Sequence, residues 1–479
     1  MKHNHHKHTR TLYSLLLAAV TLATGCKKYL DIPLPVNTIA GSAAYTSDNA
    51  AAAVLNGIYG RMATSSYFDG LNGIGMNSGL YTDELQNLST LPTNNTTVFY
   101  NDAIQAAQTG QYWSFFYSAI YASNLVIEGV TPTSLNNKKQ WLGEAYFLRA
   151  FLHFYLANLY GDVPIVTTSD YTTNQQLIRR PQADVYKQII ADLKQAQGFL
   201  TNDFRNTDAA ITTDRGRPNR LAATALLARV YLYTGDWKNA GIQADTVIAN
   251  AAFTLPAPAQ AFLASSKESI WYLTPVNTYV RDYGNYNNGM PAVIPAGKTA
   301  ASYVNVALSP QLLAAFETGD ARSTAWVRSS TTTATPAVTL YFPDKYKSNV
   351  AGAENTVLFR LAEHYLIRAE ARAQLNNITG ANSAQSDIDA VRSRAGLAGT
   401  TATTQSDMLK AIAHERQVEL FTESGHRFFD LRRTAALDAT MAVVSAAKHT
   451  TWSGFMQWWA IPTADIFANP GLKQTPGYQ

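Results

Sequence analysis

Leu221-Ala-Ala-Thr-Ala-Leu-Leu-Ala-Arg-Val-Tyr-Leu-Tyr-Thr-Gly235-Asp236-Trp237-Lys-Asn-Ala240 is the stretch that decides the fold class. Small and apolar residues recur at helical spacing, a Gly-Asp pair interrupts them, and an aromatic and an alanine resume the pattern. Alanine favours helix while adding no bulk, so two antiparallel helices can approach closely. The stretch predicts a tightly packed helix pair.

The same period extends outward on both sides. Trp141, Ala145, Leu148, Leu152, Tyr155 and Leu159 mark one face of a helix from Asn137 to Tyr160, stopped by Gly161 and Pro164. Val185, Ile189, Leu193, Ala196 and Leu200 repeat it from Asp184 to Leu200. A later pair is expected at Phe359–Leu375 and Asn382–Arg394, with further helices at Gln405–Thr422, Ala50–Met62 and Tyr112–Glu128. Each pair resembles a tetratricopeptide unit, but the spacing is irregular. The fold class expected is all-α dominated: tetratricopeptide-like helix pairs with long irregular loop insertions and a few short strands. The insertions fall at about 67–100 and 256–348. The second holds extended pieces such as Ser269-Ile-Trp-Tyr-Leu-Thr and Ala337-Val-Thr-Leu-Tyr-Phe. Loops this long in a compact domain are functional or disordered, and their aromatic content argues against disorder.

The N-terminus carries a different signal. Lys2, Lys7 and Arg10 precede an apolar run from Leu12 to Leu22, which is too short to span a bilayer. Leu22-Ala23-Thr24-Gly25-Cys26 follows, and Cys26 is the only cysteine. One thiol builds no intramolecular disulfide, and thiolate metal sites draw on several. The run resembles a bacterial lipobox, in which the peptide is cut before the cysteine and its sulfur carries a lipid. An ordinary secretory signal with a chance cysteine is the alternative. The expected organisation is therefore a removed segment, 1–25, and a single domain, 26–479.

Three of the four excess positive charges belong to the removed segment, since the whole chain is +4. The remainder offers no basic field for nucleic acid. Charged residues make up 15%, against 26 Tyr and 8 Trp, a surface suited to neutral polar ligands or simply one that avoids charge.

No zincin, nucleophile-elbow, P-loop or dinucleotide-binding motif occurs. His3, His5, His6 and His8 lie in the removed segment. His414, Glu415, Arg416, Glu419, His426, Arg427 and Asp430 invite a catalytic reading, but helical spacing makes ion pairing the better account. Glycoside hydrolysis needs two carboxyl groups about 5 to 9.5 Å apart in a cleft. Asp83-Glu84 and Asp387/Asp389 are the nearest pairs, and a cap or a surface helix face explains each as well. No catalytic residue, metal site or cofactor is expected.

The aromatic loops are the better candidates. Thr278 to Gly289 packs Tyr279, Tyr283, Tyr286 and three asparagines, including Asn288, into twelve residues. A sugar ring presents an apolar face and a hydroxyl rim, which aromatic rings beside amides can match. A second cluster runs through Tyr67, Asn72, Asn77, Tyr81 and Asp83. The bland alternative is that these rings pin loops to helices. The expected ligand-binding set is Tyr279, Tyr283, Tyr286 and Asn288, with Tyr67, Asn72, Tyr81 and Trp326.

Several blocks together resemble the SusD/RagB family of nutrient-binding lipoproteins of Bacteroidetes. They include Glu144-Ala-Tyr-Phe-Leu-Arg149 through Gly161-Asp-Val-Pro164, Gly216-Arg-Pro-Asn-Arg220, Arg360-Leu-Ala-Glu363 through Glu370-Ala, and Val391-Arg-Ser-Arg-Ala-Gly396. Glu415-Arg-Gln-Val-Glu419, His426-Arg-Phe-Phe-Asp430-Leu-Arg432-Arg and the ending Asn469-Pro-Gly-Leu-Lys-Gln474-Thr-Pro-Gly-Tyr478 follow in the family's order. Thr475 departs from the family's usual asparagine, which puts a terminal turn in doubt. These blocks belong to the helical frame, so they speak to fold more than to ligand.

The resemblance implies a cell-surface, outer-membrane lipoprotein anchored through lipid on Cys26. It implies a glycan-binding protein, not an enzyme, that captures oligosaccharide as a hinged lid on a SusC-like TonB-dependent transporter. A peptide receptor for the same kind of transporter, a lipid-anchored glycan hydrolase and a purely structural scaffold are the alternatives.

Overall fold

Residues 45–276 and 291–478 are described by the computed structural model, and helices laid side by side in chain order dominate them. The longer ones are α1 (Asp48–Thr64), α2 (Ile74–Tyr81), α3 (Asn95–Tyr100), α4 (Ala106–Val130), α5 (Lys138–Tyr160) and α6 (Gln182–Phe199). They continue as α7 (Arg220–Tyr233), α8 (Trp237–Ile248), α9 (Leu361–Gln374), α10 (Ala384–Arg394), α11 (Gln405–Leu420), α12 (His426–Arg433) and α13 (Leu437–Lys448). From α4 to α10 each helix packs on the next, and α11 closes on α9. The predicted pair is α7–α8. Asn219 caps α7 by accepting the Ala222 N–H, Gly235 turns the chain at φ +73°, and Asp236 caps α8 through the Asn239 N–H.

α5 is the centre of the frame. Apart from Tyr146, every residue from Gln140 to Tyr160 is buried, as expected of a helix covered on all sides. Its polar residues are consumed by the neighbours. Arg149 donates to Asp192 on α6 and to Asn124 on α4, so one guanidinium ties three helices. His153 shares Nδ1 with the Arg149 carbonyl at 2.9 Å, and its Nε2 accepts the Val166 N–H. Burial pushes that imidazole down to about 3, so it is neutral. Gly161 ends the helix at φ +74°, where a Cβ would lie 3.0 Å from the Trp458 ring.

Short strands lie in and beside the two insertions. β1 (Leu85–Asn87) pairs antiparallel with β4 (Val306–Leu308), and β2 (Ser269–Leu273) with β7 (Thr356–Arg360). β3 (Val293–Ile294), β5 (Val327–Thr332) and β6 (Thr339–Pro343) form a three-stranded sheet. Phe359 and Arg360 are extended and not helical as expected, because Val357-Leu-Phe359 pairs across to Trp271 and Tyr272. The first insertion is less irregular than its sequence suggests. All eight residues of α2 are buried, so the helix has no polar face whose period could reveal it.

Ion pairs hold the corner between α9 and α11. Arg360 reaches Glu268, Glu419 and Glu423, and Arg322 reaches Asp320, Glu415 and Glu419. Glu415 and Glu419 therefore pair with distant arginines rather than with neighbours on their own helix, and Arg416 pairs with Asp430 on α12. Arg229 grips Glu363 through Nε and Nη2 at 2.7 and 2.6 Å, joining α7 to α9. Thr475 keeps the terminal turn: its carbonyl accepts the Tyr478 N–H at 3.1 Å, and its hydroxyl donates to Trp459. None of the described helices is long and apolar enough to cross a membrane.

Candidate functional site

α1 ends in a turn whose Ser66 has φ +56°, and the chain emerges with two consecutive aromatics facing opposite ways. Phe68 points inward, its ring centroid 5.4 Å from Phe151 and 5.3 Å from Tyr155. Tyr67 is half-buried and leans on Tyr112 at 4.7 Å and Phe115 at 4.9 Å. Burial raises its phenol above the usual range, so the ring carries a neutral hydroxyl. Around it lies an open cleft of about 430 Å³, lined by Arg61, Thr64 and Ser65 from the end of α1 and by Gln111, Ser114 and Phe115 from α4. Ring, amide, hydroxyl and guanidinium groups thus meet on one concave surface, the mixture that suits a polar ligand with an apolar face.

A second cleft of about 390 Å³ lies on the same helix. Asn56, Tyr59, Gly60 and Ala63 of α1 face Arg205, Asp214, Arg217 and Thr274 across it, and the exposed Val276 stands in its wall. Its floor is anchored by Glu144, which accepts hydrogen bonds from Tyr59 at 2.8 Å and from Arg217.

The expected site residues part company here. Tyr67 lines the first cleft. Asn72 is close by but serves the fold: its carbonyl accepts the Tyr112 hydroxyl at 2.6 Å, and its side chain meets Asn95 at 3.4 Å. Tyr81 and Trp326 are not ligand platforms. The Tyr81 ring is sealed between Phe428 and Trp452, and its hydroxyl donates to the Met456 carbonyl at 2.8 Å. Trp326 is 0% exposed, donates to the Pro258 carbonyl at 2.8 Å, and carries Lys345 4.7 Å above its ring. Tyr279, Tyr283, Tyr286 and Asn288 lie outside the described residues, as does Cys26. Arg61, Gln111, Ser114 and Phe115 share the cleft with Tyr67 and were not among the residues expected from the sequence. The available signal was position: Arg61 closes a helix six residues before an aromatic pair.

The carboxylate pairs are structural. Asp83 and Glu84 are buried, not on a cap or an open helix face. Asp83 is held by Arg427 at 2.7 and 2.9 Å, while Glu84 accepts the Thr422 N–H. Asp387 is clamped by Arg368 and Arg372, and Asp389 accepts the Thr400 N–H at 2.7 Å. Glu317, His414 and Glu415 come within metal-sharing distance, but their atoms are engaged. Both carboxylates pair with Arg392, Glu415 also with Arg322, and His414 Nε2 lies 2.8 Å from the Ala315 carbonyl. A cavity of about 630 Å³ between α7, α9, α11 and α12 shares no residue with the clefts on α1. Its arginines are committed to carboxylates: Arg416 to Asp430, Arg427 to Asp83 and Arg433 to Glu370.

Comparison with known proteins bears on the frame. Residues 181–478 match the model of the SusD family, and residues 47–232 match one described as "Starch-binding associating with outer membrane". SusD-like protein P2 of Formosa agariphila is 26% identical over 477 residues, covering 89% of this chain and 90% of that one. SusD-like protein P38 of the same organism is 24% identical over 448 residues, covering 81% and 84%. Among solved structures, a laminarin-binding SusD-like protein superposes with a TM-score of 0.74 at 24% identity, covering 91% of this chain and all of the other. Surface glycan-binding protein A from Bacteroides uniformis gives 0.71 at 20% identity, covering 90% and 99%.

Proposed function

Because the chain belongs to the SusD family, we propose that it is a cell-surface glycan-binding lipoprotein that captures oligosaccharides and passes them to a SusC-like TonB-dependent transporter. The observation that carries this reading is the open cleft in which the Tyr67 ring is bordered by Gln111, Ser114 and Thr64. Such a surface stacks on the C–H face of a sugar while hydrogen-bonding its hydroxyls. The laminarin-binding and surface glycan-binding proteins of the same fold support it. Val276 in the wall of the neighbouring cleft leads directly into the segment carrying Tyr279, Tyr283, Tyr286 and Asn288, which we assign to ligand contact. Cleavage is no part of this reading, since one acid of each candidate pair is spent on an ion pair, Asp83 with Arg427 and Asp387 with Arg368. Lipid on Cys26 holds the protein at the outer membrane beside its transporter.

Calorimetry of the purified chain against a panel of oligosaccharides and peptides tests the reading. At least one glycan should bind, and Tyr67→Ala should weaken it about tenfold, the loss of one stacking ring. Binding of peptides alone would transfer the protein to the peptide-receptor class. Release of shortened products from a bound glycan would make it a hydrolase.

A further inference from the structure

Most arginines of this chain's interior close on a carboxylate, as Arg149, Arg217, Arg229, Arg322 and Arg360 do. Arg61 does not. Among the described residues no carboxylate lies within salt-bridge distance of it, and it is the only charged side chain lining the Tyr67 cleft. It is nevertheless held in place. Nη2 donates to the Ser118 hydroxyl at 2.6 Å, and the guanidinium carbon sits 5.5 Å from the centre of the Phe115 ring. Both anchors come from α4, one turn apart, while Arg61 itself belongs to the last turn of α1.

The consequence is a positioned cation with unspent donors. A guanidinium carries five N–H groups, and Ser118 takes one. Contact with the Phe115 ring removes water from one face and limits the rotamers that binding would otherwise have to freeze. A planar fork of this kind suits a carboxylate better than a single hydroxyl, because two parallel charge-assisted hydrogen bonds form together. The rest of the lining, Thr64, Ser65, Gln111 and Ser114, is neutral and repels no anion.

From this geometry we infer that the Tyr67 cleft takes an acidic saccharide, its uronate carboxylate paired with Arg61 and its ring lying against Tyr67. The inference rests on the reading of this cleft as a glycan site and adds the charge class of the glycan. The mature chain has almost no net charge to attract an anion from a distance, so the preference is local to this one group.

The test is calorimetry on the detergent-solubilised full chain with neutral probes (laminari-, malto- and xylo-oligosaccharides) and uronate probes (oligogalacturonate and oligomannuronate). A uronate probe should bind about tenfold or more tighter than any neutral one, and the margin should shrink as salt rises. Arg61→Gln should erase the margin with an unchanged Tm, and Arg61→Lys should restore part of it. Neutral probes binding as tightly as uronates, or Arg61→Gln leaving the uronate affinity intact, would overturn the inference while the glycan reading stands. Binding of neither kind of probe would overturn both.

Discussion

Arg149 holds both oxygens of Asp192, Nε to Oδ2 at 2.8 Å and Nη2 to Oδ1 at 2.6 Å, across 43 residues of sequence and with both side chains buried. A buried pair of this kind adds little over an apolar replacement, yet breaking it on one side strands a charge. Asp192→Ala should therefore cost about 3–5 kcal/mol in urea unfolding. The joint replacement Arg149→Met with Asp192→Leu should recover most of that loss. A double variant as unstable as the single one would contradict this account.

Tyr81 and Trp326 separate packing from binding. Trp326→Ala opens a cavity under Lys345 and should cost about 3–5 kcal/mol. Tyr81→Phe should cost about 1 kcal/mol for the lost bond to Met456. Oligosaccharide affinity, measured below the new Tm, should not change in either variant.

Tyr283 and Tyr286 should behave in the opposite way. Their joint replacement by alanine should lower glycan affinity about tenfold or more while the unfolding transition stays where it was. Unaltered affinity would move the ligand to the cleft lined by Tyr67 alone.

Glu84 provides a pH signature. Burial first, then the neighbouring Asp83 charge, raises its carboxyl to about 8, while Arg427, the Thr422 N–H and Lys345 pull the other way. Its unfolded value is near 4.5, so between those values the folded state binds the extra proton and stability falls as pH rises. His153 and His426, lowered by burial to about 3 and about 4, act in reverse, removing stability as pH falls below about 6.5. From pH 6.5 to 8 the Glu84 effect stands clear of these two histidines and amounts to about 2 kcal/mol. Glu84→Gln should flatten thermal stability across that interval.

On the proposed function, Cys26→Ala should leave the purified protein's glycan affinity intact and abolish nutrient uptake by cells, because an untethered capture protein would diffuse away from its transporter. Normal uptake by the variant would remove the need for the tether.

The helical frame was legible where period and punctuation agree, as at Gly235-Asp236 between α7 and α8. It was illegible at α2, where Gly75, Asn77, Ser78 and Gly79 are buried on every side and leave no polar stripe. The charged residues of α11 were recognisably ion-paired, but their partners Arg322, Arg360 and Asp430 are remote in sequence or on another helix. Helical spacing reports only what lies one turn away. The site was harder still. Tyr67 and Phe68 are adjacent aromatics with opposite fates, and Trp326 reads from sequence like any loop aromatic until the Pro258 carbonyl and three cations close around it. Arg61 looks like an ordinary helix-end cation, because no local pattern announces that a carboxylate is missing.

One helix, α1, forms a wall of both clefts, with Arg61 and Thr64 on one and Asn56, Tyr59 and Ala63 on the other. A helix with its side chains is about 10–12 Å across. On the proposed glycan-binding reading, a short oligosaccharide would occupy one side at a time, whereas a longer chain would drape over the ridge and hold both. Affinity should then climb in a step with the degree of polymerisation, making the protein a ruler that favours polymer over fragment.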